Sequence, residues 1–307
     1  MLKCRKKRKS SIKQHILKGN IFGLIAILLW STLASFSVLA KRIPPLELTA
    51  MAFFIAFLIG LILWKKEKKG IVIHLKFPLR VWLIGVGGLF GYHFFYFLAL
   101  QHAPAAEANL INYLWPLLIV LFSSFLPNEH LRWFHVIGAL LGLSGVVILV
   151  SGGVGFHFQA AYFQGYLYAL SCAMIWASYS VLSRYFAHVP TSAVGGFCGV
   201  TAVLALIFHF IFETTVIPNI TEILAAVMLG LGPVGGAFFV WDYGLKHGDI
   251  KLLGSSAYAI PLLSTLLLLI FGLSSVSYSL WIACALIILG SLISSLNHFK
   301  KRKSTQS

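Results

Sequence analysis

Apolar residues fall in long runs along this chain, and polar or basic residues gather in the short breaks between them. A helix needs about 20 mostly apolar residues to cross the hydrocarbon of a bilayer. Runs of that length predict ten helical spans, near residues 20–40, 46–64, 81–101, 105–126, 133–151, 164–186, 190–212, 222–245, 251–271 and 279–297. The connections between spans 3 and 4 and between spans 8 and 9 are very short. Pro104 favours a helix start at the first, and His247-Gly248-Asp249 supplies a turn at the second. The first run is preceded by basic residues and followed by Val38-Leu39-Ala40, which mimics a secretory cleavage site. About 20 apolar residues is too long for a signal core, and further spans follow, so a retained first helix is predicted.

Composition agrees with the pattern. Of 307 residues, 59% are apolar and 10% charged, and the mean hydropathy is +0.90. A soluble domain carries about a quarter charged residues, and a disordered chain is low in hydrophobicity, so both classes are excluded. The net charge of +16 reads as topology and not as a nucleic-acid surface. With the N-terminus in the cytoplasm, 22 of the 24 basic residues fall on the inner side, and only Lys41 and Arg42 fall outside. Both termini are therefore expected in the cytoplasm, with the basic segments also meeting lipid headgroups. Cys4 lies in the basic N-terminus, and Cys172, Cys198 and Cys284 lie in apolar runs. That distribution predicts reduced structural thiols, with no metal, no cofactor and no disulfide framework.

The chain repeats itself. Gly19, Trp30 and Pro44 match Gly165, Trp176 and Pro190 at an offset of 146. His102, Tyr113, Pro116 and Gly145 match His247, Tyr258, Pro261 and Gly290 at an offset of 145. Each half holds five predicted spans, and an odd number makes the second half enter from the opposite side. The expected fold is an all-α integral membrane protein, ten transmembrane helices in two inverted five-helix repeats. The expected divisions are a basic segment 1–18, a first repeat 19–152, a second repeat 160–297 and a basic tail 298–307. Inverted repeats of this kind point to a carrier with one central site.

Polar aromatics normally gather at the membrane interfaces. Here they sit near the middle of several spans: Trp30; Tyr92, His93 and Tyr96; Asn112, Tyr113 and Trp115; Trp176 and Tyr179; Ser256 and Tyr258. Each hydroxyl, indole N–H or imidazole needs a partner in lipid, so a wet central cavity is predicted. Pro116 and Pro261 free backbone carbonyls at the same depth. His102 and His247 lie near span ends and read as capping or gate-level residues. None of the eight acidic residues falls at mid-depth, and no midplane Lys or Arg awaits an anion; Arg184 is the nearest, at the inner end of span 6. An uncharged aromatic lining suits a neutral or zwitterionic solute with an apolar or aromatic body.

The residues Gly23–Thr32, with the order of spans and halves, make the chain resemble the drug/metabolite transporter superfamily, EamA type. Asn112-Tyr113-Leu114-Trp115-Pro116, Tyr92-His93 with Tyr96, Trp176 and Gly244–Gly248 are similar to its bacterial aromatic amino acid exporters. The resemblance implies an inner-membrane carrier that exports aromatic or bulky neutral amino acids. It implies substrate-binding residues Tyr92, His93, Tyr96, Tyr113, Trp115 and Trp176, with Ser256 and Pro261 a looser match, and a protein able to work as a monomer. Two alternatives stand beside it. One is efflux of drugs or other metabolites by the same fold; the other is a membrane-embedded transferase, which would need a carboxylate cluster that the scattered acids do not form.

Overall fold

The computed structural model describes residues 2–67, 71–127, 129–153, 158–270 and 277–294, and the secondary structure of these residues is helical. Among the described residues, nine helical stretches are long and apolar enough to cross a membrane: Gln14–Leu39, Pro45–Glu67, Leu79–His102, Ala105–Phe125, Trp133–Ser151, Ala160–Tyr185, Ala193–Phe212, Ile220–His247 and Ile250–Ile270. The predicted tenth span is represented by a shorter apolar helix, Tyr278–Ser294, and its last residues, 295–297, lie outside the described set.

Several spans are broken. The first is α1 (Leu2–Ser31) and α2 (Leu33–Leu39), followed by α3 (Pro45–Glu67) and α4 (Leu79–His102). The fourth is α5 (Ala105–Asn112) and α6 (Trp115–Phe122), and α7 (Trp133–Ser151) follows. In the second half, α8 (Phe163–Tyr185) and α9 (Ala193–Phe212) are continuous. The eighth span divides into α10 (Ile220–Leu231) and α11 (Gly236–His247), and the ninth into α12 (Ile250–Ser256) and α13 (Ala259–Ile270); α14 (Tyr278–Ser294) is last. The breaks at residues 113–114 and 257–258 precede Pro116 and Pro261. A proline has no N–H for the preceding turn and its ring crowds that carbonyl, so the helix restarts around it. The eighth span breaks at Gly232-Pro233-Val234-Gly235 for the same reason.

Local chemistry marks the ends. Asn219 accepts from the Glu222 N–H while Glu222 accepts from the Asn219 N–H, a reciprocal cap on α10. Asp249 caps α12, accepting from the Lys251 and Leu252 N–H groups at 3.0 and 3.1 Å. Gly152 ends α7 in the left-handed region, with φ 62°, where a side chain is disfavoured.

The helices associate in pairs: α1 along α11, α8 along α4, α3 along α9 and α7 along α14. Replacing each element by its counterpart 145 or 146 positions away returns the same four pairs. Lipid is as apolar as leucine, so such pairs are held by close packing and interhelical hydrogen bonds. At the α3–α9 crossing, a Cβ on Gly60 would stand 2.4 Å from the Gly195 Cα, so only two glycines permit this approach. Both ends of the pair are tied. Glu213, at the end of α9, accepts from the Leu46 N–H at the start of α3 (3.0 Å) and from His209 (2.9 Å). At the other end, the Trp64 indole donates to the Ser192 carbonyl at the start of α9, 2.7 Å away.

One departure from the pairwise symmetry matters. The half-helix α6 packs against α12, whereas no comparable packing joins their partners α5 and α13 among the described residues. The molecule is closed between spans 4 and 9 toward the end bearing Arg132, Arg184 and Lys251, and looser toward the other.

Candidate functional site

The buried centre of the helix bundle is built from aromatic rings. Trp30 on α1 stands 5.7 Å from Trp176 on α8, 6.1 Å from Trp115 on α6 and 5.0 Å from Trp241 on α11, centroid to centroid. These contacts are edge-to-face, the arrangement favoured by ring quadrupoles. Tyr92 lies 5.3 Å from Trp176 and is stacked on Tyr96 at 6.1 Å. His93 contacts Tyr92 at 5.3 Å and Phe53 at 5.0 Å. Phe238 closes the group, stacked on Phe53 and 5.5 Å from Trp176.

The polar tips are matched locally. The Tyr96 hydroxyl donates to Asn109 at 2.7 Å, and the Asn112 amide donates to the Tyr92 hydroxyl at 3.0 Å. Trp241 donates its indole N–H to Ser180 at 3.2 Å. His93 Nδ1 lies 2.8 Å from the Leu89 carbonyl one turn back. The break between α5 and α6 has its own partner: the Leu117 N–H donates to the Tyr258 hydroxyl at 3.1 Å. In an unbroken helix that N–H would bond to Tyr113, so a side chain from the ninth span substitutes for a helical bond in the fourth.

The sequence-predicted residues separate into two groups here. Tyr92, His93, Tyr96, Trp115 and Trp176 come together in one ring cluster, the first three half-buried and the two tryptophans buried. Tyr113 packs in a neighbouring cluster with Val120, Tyr258 and Leu262, beside buried Pro261. Ser256 turns to Ser291 on α14 at 3.1 Å and joins no ring. His102 and His247 behave as expected of span-end residues. Each places Nδ1 2.9 Å from the carbonyl four residues earlier, at the end of α4 and of α11.

Trp241 and Phe238 join this ring cluster without having stood out in the sequence as candidates, and Trp30 stood out for its depth and its match to Trp176. The internal repeat held the signal: Trp241 is the counterpart of Tyr96, Phe238 of His93 and Trp30 of Trp176.

Among the described residues the ring cluster itself carries no acidic, Lys or Arg side chain, and the charged groups lie toward the ends. Asp242 accepts from Ser183 at 2.5 Å, from Thr191 at 2.7 Å and from Lys246 at 2.7 Å, all in buried surroundings. Nearby, Glu129 bonds Lys251 and receives an Arg184 N–H at 2.9 Å. At the opposite end Glu107 accepts from Tyr166, and Arg42 lies 3.6 Å from Glu222. No cluster of three or more His, Cys, Asp or Glu able to hold a metal is found among the described residues.

Two stretches, residues 17–151 and 163–296, match the EamA-like transporter family. The chain belongs to that family. The chain is 52% identical to the aromatic amino acid exporter YddG of Ancylobacter novellus over 279 residues, 91% of this chain and 97% of that one. It is 25% identical to the aromatic amino acid exporter YddG of Escherichia coli over 294 residues, 90% of this chain and 96% of that one. A crystal structure 52% identical in sequence superposes with a TM-score of 0.87, covering 91% of this chain and 96% of the other. The resemblance read from Gly23–Thr32 and Asn112–Pro116 therefore holds. This EamA-family chain is a multi-pass membrane protein of a group whose members include named amino acid exporters.

Proposed function

We propose that this chain exports aromatic and bulky neutral amino acids across a bacterial inner membrane by alternating access. The observation that carries this reading is the uncharged ring cluster of Trp30, Trp115, Trp176, Trp241, Tyr92 and His93 at the junction of five helices. Its ring faces and edges suit an aromatic body, and Tyr and His tips supply orienting hydrogen bonds. The names of the similar exporters favour the same substrate class.

In this reading the scaffold is ten spans in two inverted halves, residues 19–152 and 160–297, with both termini cytoplasmic and the protein working as a monomer. The two halves give two related gates around one site. Packing of α6 on α12 without its counterpart supports a state closed to the cytoplasm and accessible from outside. Substrate binds between the half-buried tyrosines and the tryptophans, with Tyr92, His93, Tyr96, Tyr113, Trp115 and Trp176 as its wall and Pro261 and Ser256 farther off. The scarcity of midplane charge favours downhill flux or exchange over proton coupling.

The test is uptake of labelled phenylalanine and tryptophan into proteoliposomes, preloaded or empty. Saturable flux that Trp115→Ala abolishes, in protein shown to be folded, supports the reading. No flux of either solute by folded wild type sinks it and leaves efflux of other neutral metabolites.

A further inference from the structure

Around Arg184 lies a vestibule of about 320 Å³, at the end of the molecule that carries the basic loops. Its walls include Leu126, Pro127 and Tyr185, with Glu129, Arg184 and Lys246 as charged groups. That volume is within the range of small-molecule pockets, about 300–1,000 Å³. An apolar wall beside a fixed cation is the chemistry needed to receive a carboxylate carried on an apolar body.

Arg184 is held ready for that task. Its guanidinium donates to the Leu245 and Gly248 carbonyls at 2.6 and 2.7 Å, at the end of α11, where the helix dipole also favours a cation. These two bonds fix the head in place independently of any carboxylate. A separate N–H reaches Glu129 at 2.9 Å. That ion pair is partly exposed, 23% and 20% on its two sides, so solvent reaches it. Glu129 also bonds Lys251, so it keeps a cationic partner when it leaves Arg184. Arg184 can thus exchange one carboxylate for another without orphaning either charge.

Lys246 lines both the vestibule and a second cleft of about 20 Å³, room for about one water. In that cleft the Tyr179 hydroxyl is buried and has no partner among the described residues. The Tyr179 ring is 5.2 Å from Trp176 of the central cluster. Among the described residues no such linked group of charges stands at the repeat-related positions of the other end. The positions related by the repeat to Arg184, Glu129, Lys246 and Lys251 are Val38, Ser274, Gln101 and Ala106, all neutral.

We propose that this vestibule is a loading site for free amino acids on the cytoplasmic face. There the substrate's α-carboxylate displaces Glu129 from Arg184 and its side chain rests on Leu126, Pro127 and Tyr185. Displacement removes one tie that keeps the cytoplasmic side shut, so the substrate itself starts the opening. Because the device exists at one end only, recognition of the carboxylate is one-sided. This inference rests on the export reading and the orientation proposed above.

The experiment uses the full chain in inside-out and right-side-out membrane vesicles, with labelled phenylalanine as the solute. From the cytoplasmic face, 3-phenylpropionate, which keeps the carboxylate, competes, and phenethylamine, which lacks it, does not. Arg184→Gln raises the half-saturating phenylalanine concentration at that face by roughly tenfold, the loss of a charge-assisted bond. Glu129→Gln breaks the same bridge but removes the competitor, so it lowers that concentration. At the outer face neither variant moves it more than about twofold, since those neutral positions make no such bond. Shifts of the same sign in both variants, or equal shifts at both faces, overturn the proposal by reducing the bridge to a latch. If Arg184→Gln does not fold, the competitor pattern decides on the wild type: phenethylamine competing as well as 3-phenylpropionate overturns it. Absence of wild-type phenylalanine uptake overturns the export reading and this one together. Wild-type uptake with the wrong signs overturns this one alone.

Discussion

Tyr258 shows how much one hydroxyl can carry inside a membrane. It is fully buried, and its oxygen accepts the Leu117 N–H that the break before Pro116 leaves without a helical partner. Water is scarce at that depth, so loss of the acceptor leaves a stranded donor. Tyr258→Phe is expected to lower the melting temperature in detergent, corresponding to about 1–3 kcal/mol. The same change at Tyr185, which is 58% exposed, is the control and should leave the melting point where it is. Equal melting points for both variants would show that the Leu117–Tyr258 bond adds nothing. At this scale the sequence was informative about identity and depth. Tyr113, Trp115 and Trp176 stood out as polar aromatics at mid-span, but nothing local showed that Ser256 would turn toward Ser291 and away from the rings.

Helix pairs fail or hold at their closest crossings. Gly60 and Gly195 touch through backbone, so a side chain at either position must push α3 and α9 apart. Gly60→Val should cost on the order of 1–3 kcal/mol or more, seen as lower thermal stability and poorer recovery of folded protein. Gly87 on α4 is the converse case, because a Cβ there meets nothing within 4 Å. Gly87→Ala should leave stability unchanged or raise it by up to about 1 kcal/mol through helix propensity. A Gly87→Ala variant as damaged as Gly60→Val would contradict the packing described. The span positions were readable because about 20 apolar residues in a row need no partner to be recognised. The breaks at 113–114 and 257–258 were foreshadowed by Pro116 and Pro261. The break in span 1 after Ser31 had no such marker, since Thr32 starts no proline turn and its hydroxyl simply bonds the Leu29 carbonyl.

At the scale of the whole molecule, the sequence places 22 of 24 basic residues on the side expected to be cytoplasmic, an orientation that labelling can test. With the native cysteines replaced, Lys41→Cys should react with a membrane-impermeant maleimide added to intact cells. A cysteine in place of Lys66 should react only after the membrane is opened. Labelling of Lys66→Cys alone in intact cells would reverse the orientation and place the Arg184 vestibule outside. The same scale separates function from scaffold. In the proposed mechanism two related halves supply two related gates, and among the described residues the linked group Glu129, Arg184 and Lys251 stands at one end.

Membrane class, the positions of nine spans and the family were legible from residues alone, because each is written in local composition or in short motifs. The meeting of rings remote in sequence was not. Hydropathy does not tell one apolar helix face from another, and lipid offers no solvent contrast to choose which face turns inward. Packing of α1 on α11 and of α8 on α4 chose it, bringing Trp30 and Trp241 beside Trp115 and Trp176. The choice of α6 with α12 at one end, and the exchangeable bridge between Glu129 and Arg184, likewise arise only when helices far apart in the chain close on each other.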